Sequence, residues 1–289
     1  MLWTPPSPCF QSKVTNRTSG FTAPTITLGA NHTKGAYAEV FDAALVTFDV
    51  YDIYIMISGI GATGAGANRQ ALIDIGVDNA DAGSFTTLIE NLVCGNAGAI
   101  TGTSTNIPPV IYRFPLFIKA GTQIGARGQI SDGLDLAGVG IHVSLIGDPN
   151  HPELARAGSY VTTFGAVTAS SRGTGITPGT SGAEGAYVDL SGADTTVPYW
   201  YWEFGIGVAD STMADQSLLV DVGIGDGSNK FLAIQDAHIW TSSDERLSKP
   251  GIAPMGFYEG ATGVRVYGRA SASGTPDSTV TMAAYGVGG

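Results

Sequence analysis

Residues 72–77 read LIDIGV and residues 219–224 read LVDVGI, so one short pattern occurs twice in this sequence. Each copy is a run of aliphatic residues that carries one aspartate and one glycine at matching positions. A turn rich in Asp, Asn and Gly follows both copies. β-Branched residues favour strands, and small polar residues favour the turns that join them. The repeat therefore predicts two copies of one β-rich module.

Other matches between the two halves keep the same order along the chain. The tripeptide GAY occurs at 35–37 and again at 185–187, and ARG at 126–128 corresponds to GRA at 268–270. The spacing between copies shrinks towards the C-terminus, as loop deletions would produce. No convincing amphipathic helix interrupts the strand-like segments. The sequence predicts an all-β protein made by tandem duplication, with two antiparallel β-sandwich domains of jelly-roll type.

Composition and the repeat indicate the domain boundaries. Charge and hydropathy argue against a nucleic-acid-binding protein and a membrane-spanning protein. We expect an extended N-terminal arm at 1–20, a first β-sandwich at 21–148, a linker at 149–158 and a second β-sandwich at 159–289. The net charge is −11, and no cluster of basic residues is present, which argues against a nucleic-acid partner. No signal peptide and no membrane-spanning run is found, so we expect a soluble chain made in a cytoplasm.

The N-terminal arm is rich in proline, which excludes regular structure over most of it. Trp3 and Phe10 are large apolar residues with no local core, so the arm is either disordered or laid over a neighbouring subunit, and these two residues favour the second alternative. Cys9 lies in the arm and Cys94 in the first domain. Reduced thiols are the expectation, although the sequence alone leaves open whether the two cysteines pair.

Motifs that would carry chemistry are weak throughout. The stretch GIGATG at 59–64 matches a dinucleotide-binding pattern, but the next strand follows too soon for the required helix. The four histidines are not spaced as metal ligands, and no serine lies in a nucleophile elbow. The turns at 78–81 and 226–229 lack the carboxylates of a calcium loop. We predict no catalytic residue, no metal, no cofactor and no enzymatic activity.

The duplicated aspartates, Asp74 and Asp221, lie inside apolar strands and need partners. Arg127 and Arg269 are duplicated as well. A carboxylate and a guanidinium in a sandwich form a structural pair, bidentate where geometry allows. We therefore predict the structural ion pairs Asp74–Arg127 and Asp221–Arg269.

Four consecutive aromatic residues, Tyr199, Trp200, Tyr201 and Trp202, would place rings on both faces of one strand. One face would fill the core, and the other would need a cover. Packing on another subunit and stacking on a sugar are both open, and subunit packing is favoured because aromatic residues are common in protein interfaces.

Several stretches together resemble uncharacterised structural proteins of tailed bacteriophages. In these proteins a pattern D-I-G-V … L-I-P-N-L … F-P-x-x-I-P-A-G-T-x-I-A-A-R recurs. The matching segments here are LIDIGV at 72–77, FTTLIENL at 85–92, RFPLFIKAGTQIGAR at 113–127, DVGIGDGSNK at 221–230 and AYGV at 284–287. The match covers most of residues 30–289 but not the arm, and Lys119 stands where proline is usual. The resemblance implies a virion component.

From these features we predict a non-enzymatic virion protein, most simply a capsid decoration (cement) protein that reinforces the shell through contacts between subunits. Its partners would be the major capsid protein or other virion proteins and further copies of itself, as a homotrimer. The N-terminal arm, through Trp3 and Phe10, would contact the shell or a neighbouring copy. The alternative is a receptor- or glycan-binding module of a tail or head fibre, with host glycan as its partner.

Overall fold

The computed structural model describes a chain that is almost entirely β-sheet. The described residues are 9–13, 25–58, 69–96, 110–130, 139–147, 157–170, 173–208, 216–226, 230–241, 255–256, 262–275 and 279–289. Within them the only helical element is a 3-10 turn at Ala43–Leu45. None of the described residues forms a helix long and apolar enough to cross a membrane. The predicted all-β class is confirmed.

Nine strands of the described residues form the first module. Their bounds are β1 Cys9–Lys13, β2 Thr25–Ile26, β3 Ala38–Phe41, β4 Asp52–Ser58, β5 Arg69–Asp78, β6 Thr86–Asn96, β7 Val110–Phe114, β8 Gln123–Ile130 and β9 Val139–Gly147. One sheet has the order β1-β9-β4-β7, with β2 also paired to β9, and the other has the order β3-β8-β5-β6. From β2 to β9 the chain changes sheet at every step except the β5–β6 hairpin, which is jelly-roll topology.

The second module repeats this arrangement. Its strands are β10 Tyr160–Phe164, β11 Thr174–Ile176, β12 Val188–Asp189, β13 Tyr201–Val208, β14 Gln216–Gly225, β15 Lys230–Thr241, β16 Met255–Gly256, β17 Arg265–Ala272 and β18 Val280–Gly288. The sheets have the orders β10-β18-β13-β16, with β11 on β18, and β12-β17-β14-β15. Each strand therefore has a counterpart nine places earlier. The two repeated sequence patterns lie in β5 and β14, both inner strands.

The sheets face each other across apolar cores. Strand β4 alternates buried and half-buried residues, as expected when one face meets the core and the other does not. The first core contains side chains from both modules: Trp200, Tyr201, Tyr285 and Val287 pack with residues of the first module. A second core lies wholly within the second module. The two modules therefore share part of one hydrophobic core.

Part of the expected arm belongs to the first module. Strand β1 pairs with β9 in antiparallel register, from Cys9 opposite Gly147 to Lys13 opposite Val143. Strand β10 pairs with β18 in the same way at the start of the second module. Because residues 9–13 add a strand to the sheet of the first module, the prediction that they belong to an arm separate from that module is wrong. Phe10 is therefore part of the sheet of its own chain, and Trp3 lies outside the described residues.

The segment between the modules is described only at its end. Gly158 donates its N–H to the carbonyl of Pro115 at 2.8 Å and accepts from the N–H of Phe117 at 2.9 Å. The predicted linker at 149–158 thus ends on a backbone contact with the first module, and residues 149–156 lie outside the described part of the chain.

Candidate functional site

The duplicated aspartate of the first module is the centre of a buried polar cluster. Asp74 is 2% exposed. Its Oδ1 accepts from the N–H of Asn91 at 2.9 Å and from Nζ of Lys34 at 2.6 Å, and its Oδ2 accepts from Nε of Arg127 at 2.9 Å. The structure thus brings Asp74 and Arg127 together, and it adds Lys34, which the sequence pattern did not point to.

The equivalent cluster of the second module is built on Asp221, which is 1% exposed. Its Oδ2 accepts from Nε of Arg269 at 2.8 Å and from Nη2 at 2.6 Å, and its Oδ1 accepts from the N–H of Asp236 at 2.7 Å. Glu184 also lies close, with Oε2 3.5 Å from Nε of Arg269. The structure thus places the second predicted pair together as well.

Both aspartates hold a β-bulge in the neighbouring strand. The pairing of β5 with β6 shifts register next to Asp74, and the pairing of β14 with β15 shifts next to Asp221. Asn91 and Asp236 lie at these shifts with φ of 56° and 52°. Asn and Asp tolerate the left-handed region better than other residues with a Cβ. Their N–H groups donate to the aspartate carboxylates, which therefore cap the bulges.

The GAY tripeptides support the arginines of these clusters. The guanidinium of Arg127 lies 4.6 Å from the ring centre of Tyr37, and that of Arg269 lies 4.6 Å from the ring centre of Tyr187. A cation over an aromatic face is attracted by the ring quadrupole. A Cβ at the preceding glycine, Gly35 in the first module, would lie only 2.8 Å from the carbonyl oxygen of Thr27. In the tripeptide, the glycine thus allows a close approach of two backbone segments, and the tyrosine ring supports the arginine.

The two clusters differ in charge at one position. Lys34 and Glu184 each directly precede a GAY tripeptide. Burial lowers the pKa of Lys34, and the contact with Asp74 partly counteracts this. Burial raises the pKa of Glu184, and the nearby carboxylates of Asp221 and Asp236 raise it further. The first cluster thus has two cationic groups around one carboxylate, whereas the second has one cationic group among three carboxylates.

The predicted aromatic surface is buried, so its assignment as a subunit interface or a glycan platform is wrong. Tyr199, Trp200, Tyr201 and Trp202 are each at most 7% exposed. Tyr199 and Trp202 pack in the core of the second module, while Trp200 and Tyr201 join the core shared with the first. The hydroxyl of Tyr201 donates to the carbonyl of Arg113 at 3.0 Å. All four rings are therefore covered within the same chain, two by the core of the second module and two by the core shared with the first.

A buried tyrosine lies at the interface between the two modules, which we call the seam and which is formed around Tyr285, Tyr112 and Gly205. The hydroxyl of Tyr285, on β18, accepts from the N–H of Val93 at 2.8 Å and donates to the carbonyl of Asn91 at 2.9 Å. The ring of Tyr112 meets the ring of Tyr285 edge to face at 5.5 Å. A Cβ at Gly205 would lie 2.7 Å from the hydroxyl of Tyr112. The seam therefore requires a glycine on β13. The hydroxyl of Tyr285 satisfies the backbone N–H of Val93 and the carbonyl of Asn91 on β6.

The other motifs noted in the sequence are explained by their contacts in the fold or lie outside the described residues. Cys94 is a free, buried thiol, and burial raises its pKa to about 12. The carboxylate of Asp78 accepts from the N–H groups of Ala80, Ala82 and Ser84 at 2.8–2.9 Å, so it organises its own turn. The GIGATG stretch lies outside the described residues. Within the described part of the chain, one group of carboxylates could hold a metal ion, namely Glu184, Asp221 and Asp236.

Comparison with known proteins gives only distant similarity in fold. No protein-family model matches the sequence, and no curated protein matches it either. The resemblance to tailed-bacteriophage proteins therefore has no support from sequence comparison and stays a prediction.

Solved structures similar to this chain include two at 10% sequence identity. A structure of Sulfolobus Turreted Icosahedral Virus has a TM-score of 0.37, and the match covers 96% of this chain and 90% of that chain. PNGF-II has a TM-score of 0.35, and the match covers 97% of this chain and 65% of that chain. This chain thus spans 65% of the length of PNGF-II. At these scores neither protein indicates what this chain does.

Proposed function

We propose that this chain is a non-enzymatic structural protein of a virion, and specifically a capsid decoration protein of a tailed bacteriophage. The observation that supports the proposal is the seam: two jelly-roll modules share one core and are joined by the buried hydroxyl of Tyr285. A shared apolar core resists relative motion of domains. Such a rigid double module suits a protein whose task is to hold neighbouring subunits in place.

Adhesion to the shell would use apolar side chains on the outer strands. Ile111 on β7 is 51% exposed and Phe231 on β15 is 56% exposed. In the described residues both strands end their sheets. Exposed apolar groups and open strand edges favour association with other protein surfaces. The partners in this proposal are the major capsid protein or other virion proteins and further copies of the chain, as a homotrimer.

The proposal is tested by finding where the protein lies in purified particles of the virus that encodes it. Antibody labelling and cryo-electron microscopy of purified virions are expected to place the chain on the heads. Density on the tail would favour the fibre alternative, and absence from the particle would refute both readings.

A binding assay tests the proposed surface. Ile111→Ser and Phe231→Ser together are expected to reduce binding of the purified protein to capsids that lack it, with little change in melting temperature. Val167 is also exposed but lies outside the two outer strands, so Val167→Ser serves as the control. Equal loss of binding in the control would contradict this choice of surface.

A further inference from the structure

The two modules meet in the seam through different surfaces, although their folds are equivalent. Among the described residues, β6 of the first module meets β10, β13 and β18 of the second, and β7 meets β13. The counterpart of β6 in the second module is β15, and the counterpart of the covering sheet in the first module is the sheet with β1, β9 and β4. The seam thus leaves both counterparts for another partner. A contact between unlike surfaces can be repeated from one copy of a chain to the next.

The outer edge of β6 is covered, whereas the equivalent edge of β15 is open. The hydroxyl of Tyr285 accepts from the N–H of Val93 and donates to the carbonyl of Asn91, and both β6 residues are at most 4% exposed. Strand register places His238 and Asp236 at these two positions in β15. Both are exposed, and β15 ends its sheet in the described part of the chain. The second module therefore presents, uncovered, the edge that the seam covers in the first.

The outer face of β9 and β4 is the counterpart of the face that covers β6. Every residue of β18 is buried, because one face of that strand meets its own core and the other meets the first module. Strands β9 and β4 instead alternate buried and half-buried residues. Their half-buried side chains include Tyr54, Met56 and Ile146. A sheet face in contact with water is ordinarily polar, so this apolar face favours a protein cover.

The two outer faces carry similar bulk in a different arrangement. In the seam, a Cβ at Gly205 would lie 3.0 Å from the hydroxyl of Tyr285, so a large ring extends over a small residue. Strand register places Met56 and Ser144 at these positions in the first module. The large side chain has thus moved to the neighbouring strand. On the open edge of β15, His238 stands where β6 has a valine, and its ring can fill the room above the shorter Ser144. The unused face and the unused edge therefore keep a match of large to small residues.

We propose that the open edge of β15 in one copy of the chain binds the outer face of β9 and β4 in a second copy, as β6 meets the second module within one chain. Each copy then contributes one edge and one face, so the contact runs head to tail and forms a ring where the rotation between copies closes. The inference rests on the proposed function only for the number of copies. In a homotrimer, the ring contains six modules joined by alternating seams and contacts between chains.

Two variants test the contact, because each removes one of its two surfaces. Met56→Lys places an ammonium on the outer face, and His238→Lys places one on the edge of β15, a device that blocks pairing at natural strand edges. Analytical ultracentrifugation of the full-length protein should show that the original chain associates as its concentration rises and that each variant alone stays monomeric. Val167→Lys makes the same charge change at a residue that is 58% exposed and lies outside both surfaces. This control should associate as the original chain does.

An equimolar mixture of the two variants distinguishes this contact from other kinds of association. The intact edge of the Met56→Lys chain can bind the intact face of the His238→Lys chain, and no second contact can form. A dimer of one chain of each kind, with nothing larger, is therefore expected at high concentration, where the contact needs no help from ring closure. Such a dimer also shows that both variants fold.

Three results would overturn the proposal: an original chain that stays monomeric, a mixture that stays monomeric, or self-association of either variant alone. These results are independent of the test of the proposed function. A monomeric chain found on virion heads would overturn this contact alone. A pair of variants that associates, from a chain that is absent from virions, would overturn the proposed function alone.

Discussion

At the residue scale, the repeated sequence pattern identified one partner of each aspartate but not the others. Asp74 and Arg127 are duplicated at fixed places, so their pairing could be expected from the sequence. Lys34 reaches the same carboxylate from the loop between β2 and β3, and Asn91 reaches it from a bulge. A bulge changes the register by one residue, which alternation in sequence cannot reveal. The sequence therefore predicted the pair and missed the cluster.

Removal of the Asp74 carboxylate should destabilise the protein strongly. Asp74→Ala leaves the buried ammonium of Lys34 without its counter-ion and the N–H of Asn91 without its acceptor, and breaking a buried charge pair costs about 3–5 kcal/mol. The free energy of unfolding from urea denaturation measures the loss. Asp194→Ala removes an exposed partner of Arg265 and should cost much less, since surface pairs contribute little. Equal losses in the two variants would contradict a structural role for Asp74.

Asp78 should make the stability of the protein depend on acid pH. The N–H of Ala80, followed by those of Ser84 and Ala82, lowers the pKa of Asp78 below its ordinary value of 3.8. A carboxyl group whose pKa is lower in the folded state stabilises the fold above its unfolded pKa, and this contribution is lost as the pH falls through the folded pKa. Melting temperatures between pH 5 and 2 should therefore fall less steeply for Asp78→Asn than for the original protein. Parallel pH profiles would refute this.

At the element scale, alternation along the sequence marks regular strands but not the positions where they are interrupted. Strand β4 begins at Asp52, although residues 43–51 before it are also mainly apolar. Asp42 accepts from the N–H of Ala44 at 2.9 Å and caps the 3-10 turn that interrupts this segment. An N-cap aspartate competes with strand formation through this local bond. The apolar run alone gave no sign of that break.

The bulge of β6 provides a prediction about backbone conformation. Asn91 has a φ of 56°, which glycine adopts freely and alanine does not. Asn91→Gly and Asn91→Ala both lose the side-chain bond to the carbonyl of Ala166, so their difference isolates the backbone cost. We expect Asn91→Ala to be less stable than Asn91→Gly by about 1 kcal/mol in urea denaturation. Equal stability would show that the bulge relaxes when the side chain is removed.

At the scale of the whole molecule, the sequence predicted two sandwiches but not the seam between them. The aromatic residues at 199–202 suggested a surface because part of their cover comes from a distant part of the chain. Tyr201 contacts Arg113, and Tyr285 contacts Val93. Such contacts depend on how two modules pack, and no local pattern of residues encodes that. The duplication itself gives two equivalent modules, yet the seam makes their outer surfaces different.

The seam should make both modules unfold together, and Tyr285→Phe should weaken that coupling. This change keeps the ring but leaves the N–H of Val93 and the carbonyl of Asn91 without their buried partner, at a cost of about 1–3 kcal/mol. Calorimetry of the original protein is expected to show one transition with equal calorimetric and van't Hoff enthalpies. Tyr199→Phe is the control, because the hydroxyl of Tyr199 bonds Thr162 inside the second module. The control should keep the single transition, whereas Tyr285→Phe should broaden or split it, since a destabilised seam lets one module unfold before the other.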